Sequence, residues 1–89
     1  MENKKYLDKV IEHLVRSTKI DYDKGDIIFP FSTFYPLDFI IPFFRSFPSV
    51  PTHYFEIYCK NTFGLTVEEI KYVWKQYIEI ILSKIENGQ

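Results

Sequence analysis

Hydrophobic residues near the start of the chain recur at intervals of three and four, with charged residues between them. The apolar positions are Leu7, Val10, Ile11, Leu14 and Val15. Because this spacing places side chains on one face of an α-helix, the pattern predicts an amphipathic helix over residues 3–17. Asn3 stands at its start and belongs to a residue type that commonly caps a helix N-terminus.

After this helix, the spacing between apolar residues shortens from three and four positions to two. Ile20 and Tyr22 alternate with charged residues, and a short turn that contains Gly25 leads into a second apolar run. Two short runs joined by a turn of three residues that includes glycine predict a β-hairpin over residues 18–29. Since a lone hairpin is only marginally stable in water, we expect it to pack on a helix or to pair with another chain.

Prolines are spaced regularly in the centre of the sequence. Four of them lie six residues apart, each after an aromatic residue or isoleucine: Pro30, Pro36, Pro42 and Pro48. Proline fixes its own φ and lacks a backbone N–H, so this region can be neither one continuous helix nor a central strand. Seven of the nine phenylalanines also lie in residues 29–52. The pattern predicts an extended arm, stiffened by proline and rich in aromatic rings, over residues 30–52.

Two further helices are predicted after this arm. Apolar residues with helical spacing mark a short helix over residues 53–62, and Gly64 follows as a C-terminal stop. Thr66 and Glu69 then have the spacing of a capping box, in which each side chain bonds to a backbone amide of the other residue. This signature predicts a long helix over residues 67–86.

The last helix is apolar over an unusually wide arc. At about 100° per residue its hydrophobic positions cover roughly 200°, about twice the arc that one packing partner needs. These positions are Ile70, Val73, Trp74, Tyr77, Ile78, Ile80, Ile81, Leu82 and Ile85. We expect the helix to contact the first helix and the hairpin on one side, and either the aromatic arm or a second subunit on the other.

Length and composition place these elements in one small domain, residues 1–89. The chain is 46% hydrophobic and has a formal net charge of −1, which is typical of globular domains rather than of disordered chains. The predicted fold class is α+β and mostly helical. It comprises an N-terminal helix, a short β-hairpin, an extended proline and aromatic arm, and a C-terminal helix-turn-helix pair with a long last helix.

Cysteine content and hydropathy indicate the cellular compartment in which the protein is expected. One cysteine, Cys59, excludes an internal disulfide and fits a reducing environment. The charged N-terminus lacks the apolar core of a signal peptide. A membrane helix needs a run of about 18 apolar residues, and no apolar run in this sequence is that long. We therefore expect an intracellular, cytoplasmic protein with no membrane association. Alanine is absent, a bias that favours a genome low in G and C, as in many viruses.

The sequence offers little for catalysis or metal binding. His53 and Cys59 are six positions apart and point to different sides of a helix, while His13 lies on another helix. The acidic turn around Gly25 departs from a calcium loop at two required positions, so turn formation explains it better. We predict a protein that is not an enzyme, with no catalytic residues, no metal site and no cofactor.

The two helices that flank Gly64 resemble a helix-turn-helix in outline, the motif that places its second helix in the major groove of DNA. Any two helices packed around a tight glycine turn share this outline. The second helix begins with Glu68 and Glu69, and the chain is slightly acidic, whereas DNA binding needs several phosphate contacts from basic residues. A nucleic-acid-binding regulator is therefore the alternative hypothesis rather than the leading one.

The leading hypothesis is a small protein-interaction or structural subunit that binds a second copy of itself or a larger assembly. Interfaces favour aromatic side chains and arginine, and the predicted contact surface is rich in both. It comprises Phe34, Tyr35, Phe39, Phe43, Phe44, Arg45 and Phe47. The competing arrangement is a compact monomer whose arm packs across its own domain. A small apolar ligand among these rings would leave no sequence signature.

Overall fold

Residues 3–32 and 34–88, the part of the chain that the computed structural model describes, form four helices and one three-stranded antiparallel sheet. In chain order the elements are α1 (Lys4–Ser17), β1 (Lys19–Asp21), β2 (Asp26–Ile28), β3 (Phe34–Pro36), α2 (Leu37–Ser46), α3 (His53–Phe63) and α4 (Val67–Asn87). The expected mostly helical α+β class is confirmed. No helix in these ranges is both long and apolar enough to cross a membrane.

The first helix forms as its apolar spacing predicts. Its buried residues are Leu7, Val10, Ile11 and Leu14, and they pack α1 along α4. Asn3 precedes the helix but makes no capping hydrogen bond with its side chain. Its amide instead donates to a carboxylate oxygen of Glu69 at 3.1 Å, so Asn3 joins α1 to the start of α4.

The predicted hairpin is present and belongs to a larger sheet. β1 and β2 pair antiparallel with Ile20 opposite Ile27, and Gly25 has a φ of 72° in the turn between them. β3 pairs with the free side of β2, where Tyr35 lies opposite Ile27. One face of the sheet therefore carries Ile20, Ile27 and Tyr35 toward the core. The hairpin is thus stabilised within its own chain by a third strand.

The prediction of an extended arm over residues 30–52 is wrong in its middle. Residues 34–36 form β3 and residues 37–46 form α2, with Pro42 inside that helix. Ile40 and Phe44 lie four positions apart on α2 and are both buried. Full burial of such a side chain contributes about 1.5–3 kcal/mol, which offsets the cost of about 3 kcal/mol for a proline in a helix interior. Thr33, which the arm includes, lies outside the described residues.

The two helices after the arm lie within one residue of the predicted bounds. The Thr52 side chain accepts a hydrogen bond from the Phe55 N–H at the start of α3, and Gly64 ends this helix with a φ of 66°. Thr66 and Glu69 form the expected capping box at the start of α4. Residues close in the sequence therefore set the start and end of α3 and the start of α4.

The last helix packs against three other helices of the same chain. α1 makes the largest contact with α4, and α3 and α2 also contact it. Its fully or almost fully buried residues are Ile70, Val73, Trp74, Tyr77, Ile78 and Ile81. Of the two partners expected for the second side, the folded segment that includes α2 occupies it, and a second subunit is not needed to cover it.

Candidate interaction surface and aromatic cleft

Four aromatic rings form a continuous row along one side of α2. Tyr35, Phe39, Phe43 and Phe47 are spaced by four residues, and successive ring centroids lie 6.0, 5.7 and 5.4 Å apart. Residues four apart are neighbours on a helix surface, which explains how α2 and its flanking residues bring the rings together. The first three are nearly parallel, with interplanar angles of 21° and 13°. We call these four rings the aromatic ladder.

The ladder leaves much of its apolar surface uncovered. Phe39 is 52% exposed and Phe47 is 48% exposed, whereas Tyr35 and Phe43 are partly buried. Isolated apolar residues on a surface are ordinary, but a contiguous apolar patch marks a binding site in many proteins. The ladder is contiguous because each ring contacts the next.

The remaining residues of the predicted contact surface lie elsewhere. Phe44 is only 2% exposed and packs edge to face on Trp74 in the core. Phe34 is exposed on the outer face of the sheet, where Ile28 lies opposite it. Arg45 is exposed and forms an ion pair with Glu86 near the end of α4. The structure therefore brings together Tyr35, Phe39, Phe43 and Phe47, and separates the other three.

A cleft of about 270 Å³ lies between the ladder and the start of α3. Aromatic rings and one isoleucine form most of its lining: Phe29, Phe31, Tyr35, Phe39, Ile40, Phe43, Phe44, Tyr54 and Trp74. Ser32, Thr52 and His53 complete it, so none of the lining residues is Asp, Glu, Lys or Arg. We call this space the aromatic cleft.

Polar groups also belong to the lining of the aromatic cleft, among them those of Ser32, Thr52 and His53. The hydroxyl groups of Ser32 and Tyr35 lie 3.3 Å apart and share one hydrogen bond. Trp74 is fully buried, and its Nε1–H has no hydrogen-bond partner within residues 3–32 and 34–88. Rings of Phe44 and Phe55 contact the indole edge to face, with centroids 5.6 and 4.7 Å away. Water does not reach this nitrogen, so it is an unpaired donor inside the core, which is unfavourable, and it is not open to the cleft.

The residues considered for catalysis are not assembled into a reactive group. Cys59 is fully buried, and desolvation by burial raises the pKa of its thiol to about 12. A thiol with this pKa stays protonated and is a poor nucleophile at neutral pH. His53 lies at the cleft, and the ring of His13 packs against Phe63. Within residues 3–32 and 34–88, no three His, Cys, Asp or Glu side chains are grouped to hold a metal ion.

Sequence reasoning missed the cleft because its walls come from distant parts of the chain. Phe31, Tyr54 and Trp74 meet only when the connection between β2 and β3, α3 and α4 are packed together. The high aromatic content was the one available signal, and it does not tell which rings share a cavity. Comparisons with known protein families, with curated proteins and with solved structures find no match for this chain.

Proposed function

We propose that this protein is a non-enzymatic interaction subunit that binds a second copy of itself through the exposed side of the aromatic ladder. The observation that carries the proposal is the contiguous row of rings in which Phe39 and Phe47 are about half exposed. Aromatic side chains give interfaces large apolar area with little loss of conformational entropy.

The ladder fits a second copy of itself as the partner. Two-fold symmetric interfaces use the same patch on both subunits, so they need a surface that is complementary to itself. A row of uncharged aromatic rings meets this need, because offset-stacked and edge-to-face contacts form between like rings. The net charge of −1 adds little repulsion between copies.

The proposal is confined to the ladder and leaves out the long last helix. Most of the apolar residues of α4 are buried within the chain, so this helix presents no wide apolar face to a partner. Phe44 is likewise left out because it is buried.

The nucleic-acid alternative is disfavoured by the charges at the start of α4. Glu68 and Glu69 occupy the first turn, where a helix that reads DNA presents side chains to bases and phosphates. Retention on DNA at low ionic strength, lost as salt is added, would support this alternative over the proposed one.

Size-exclusion chromatography with light scattering tests the proposal. We expect a dimer at high micromolar concentration and dissociation on dilution. Phe39→Ser is expected to give a monomer that keeps its helical circular dichroism, because Phe39 is half exposed and contributes little to the core. Phe34→Ser is the matched control, since Phe34 is the same residue type with 59% exposure on the outer sheet face.

Two results would contradict self-association through the ladder. One is a wild-type protein that stays monomeric at high micromolar concentration. The other is a dimer that Phe39→Ser leaves intact while Phe34→Ser dissociates it, which would move the interface to the sheet.

A further inference from the structure

We propose that the aromatic cleft binds a small, flat, uncharged molecule of about two fused rings that carries one hydrogen-bond acceptor. This inference is separate from self-association, because it concerns the space between the ladder and α3 rather than the exposed side of the ladder. It rests on the volume of the cleft, on its ring geometry, on its charge and on the free hydrogen of the Ser32 and Tyr35 hydroxyl pair.

Volume limits the size of the ligand. The cleft measures about 270 Å³, and an apolar cavity of about 150 Å³ is known to hold benzene. A single ring would therefore leave much of the cleft unfilled, and unfilled space forfeits dispersion contacts. Two fused rings match the available volume better.

Ring geometry favours a flat ligand. Phe39 and Phe43 are almost parallel, with an interplanar angle of 13°, and both line the cleft on the ladder side. Tyr54 lines it on the α3 side. Aromatic rings prefer offset-stacked or edge-to-face contacts with other aromatic rings. A planar aromatic molecule can make such contacts with both sides.

Charge limits the ligand to neutral molecules. None of the residues that line the cleft is Asp, Glu, Lys or Arg. Moving an unpaired charge out of water into such surroundings is strongly unfavourable. A cation gains some attraction from aromatic faces, but no carboxylate lines this cleft to complete its pairing.

The hydroxyl groups in the lining favour a ligand that carries a hydrogen-bond acceptor. The Ser32 and Tyr35 hydroxyls share one hydrogen bond, so one of their two hydrogens is left over for another partner. An acceptor atom on the ligand can take this hydrogen and form one hydrogen bond with the cleft.

Quinoline is a suitable probe because it has two fused aromatic rings, no charge near neutral pH and one acceptor nitrogen. Trp74 is the one tryptophan of the chain, so its indole N–H gives a single, assignable resonance in a ¹⁵N-correlation spectrum. We expect saturable shifts of this resonance with quinoline. 2-Naphthoate and N-methylquinolinium, which have similar rings with a negative and a positive charge, are expected to cause little change.

Combining Ser32→Ala with Tyr35→Phe removes both hydroxyls of the pair while keeping the aromatic ring at position 35. We expect this double variant to weaken quinoline binding by about 3- to 10-fold, the effect of losing one hydrogen bond. Tyr22→Phe removes a hydroxyl that bonds to the Lys84 carbonyl, away from the cleft, and should leave the affinity unchanged.

Three results would overturn the proposal. They are the absence of any saturable shift of the Trp74 indole resonance, tighter binding of either charged probe than of quinoline, and equal effects of the double variant and of Tyr22→Phe. None of them bears on the oligomeric state, so this proposal and the ladder interface can fail separately.

Discussion

The hydroxyl of Tyr77 donates a hydrogen bond to the hydroxyl of Thr18. The Thr18 hydroxyl donates its own hydrogen to the Leu14 carbonyl at 2.7 Å, so in its contact with Tyr77 it can only accept. Tyr77 is fully buried at the centre of α4. The pair therefore satisfies a polar group deep in the core and fixes the end of α1 against α4.

This direction of donation predicts unequal effects of two substitutions. Thr18→Val leaves the buried Tyr77 hydroxyl without a partner and should lower the free energy of unfolding by about 1–3 kcal/mol. Tyr77→Phe removes the donor, while Thr18 still bonds to Leu14, and should cost about 1 kcal/mol. Urea denaturation measures both values. Thr62→Val, at an exposed position of α3, controls for the change of residue type. A larger effect of Tyr77→Phe would mean that Tyr77 is not the donor.

Burial of Cys59 predicts an unreactive thiol. Its pKa is raised to about 12 by desolvation, and the thiolate rather than the thiol reacts with disulfide reagents. We expect almost no labelling of the native protein at about pH 8, where an exposed thiol reacts readily, and full labelling in concentrated guanidinium chloride. Rapid labelling of the native protein would show that α3 opens readily around this residue.

The same burial predicts that stability falls at alkaline pH. The folded state keeps the Cys59 proton up to about pH 12, whereas an unfolded chain loses it near pH 8.5. Between these values the unfolded state binds fewer protons, so the free energy of unfolding decreases as pH rises. Tyr77, whose pKa is also raised by burial, contributes in the same direction at higher pH. Cys59→Ala should reduce the slope of stability against pH in this window, although it also removes packing.

The capping box predicts a loss of stability in acid. The pKa of Glu69 is lowered, chiefly because its carboxylate accepts a hydrogen bond from the Thr66 backbone N–H and also from Asn3. A lowered pKa means that this stabilisation is present above the ordinary carboxyl range and is lost as pH falls through the folded value. The free energy of unfolding of Glu69→Gln should therefore be lower than that of wild type at neutral pH, and the two values should converge in acid. Glu68→Gln is the matched control, since Glu68 lies next to it and is exposed.

The elements that the sequence predicts well are those whose signals are local. The three-and-four spacing gave α1, and the capping box of Thr66 and Glu69 gave the start of α4 within one residue. Gly25 and Gly64 both adopt the positive φ expected of glycine in a turn and at a helix end. In each case the pattern that specifies the element is contained in residues close in the chain.

α2 and the aromatic cleft depend on contacts between residues that are distant in the sequence. Local preference disfavours a helix around Pro42, yet burial of Phe44 against Trp74 provides enough free energy to form it. A six-residue proline spacing contains no information about that contact. The ladder could be anticipated only in part, because its four-residue spacing becomes meaningful once α2 is known to be a helix.

Replacing Pro42 tests this account of α2 directly. Pro42 is exposed, so its ring adds little packing, while its missing N–H leaves the Asp38 carbonyl without its helical partner. We expect Pro42→Ala to raise the free energy of unfolding by about 1–3 kcal/mol, the range set by proline and alanine helix propensities. Pro48→Ala, in the exposed turn after α2, is the control and should be neutral or slightly destabilising, because proline there restricts the unfolded chain. Thermal and urea denaturation report both changes. Destabilisation by Pro42→Ala would mean that the proline ring itself is needed to hold residues 37–46 in place.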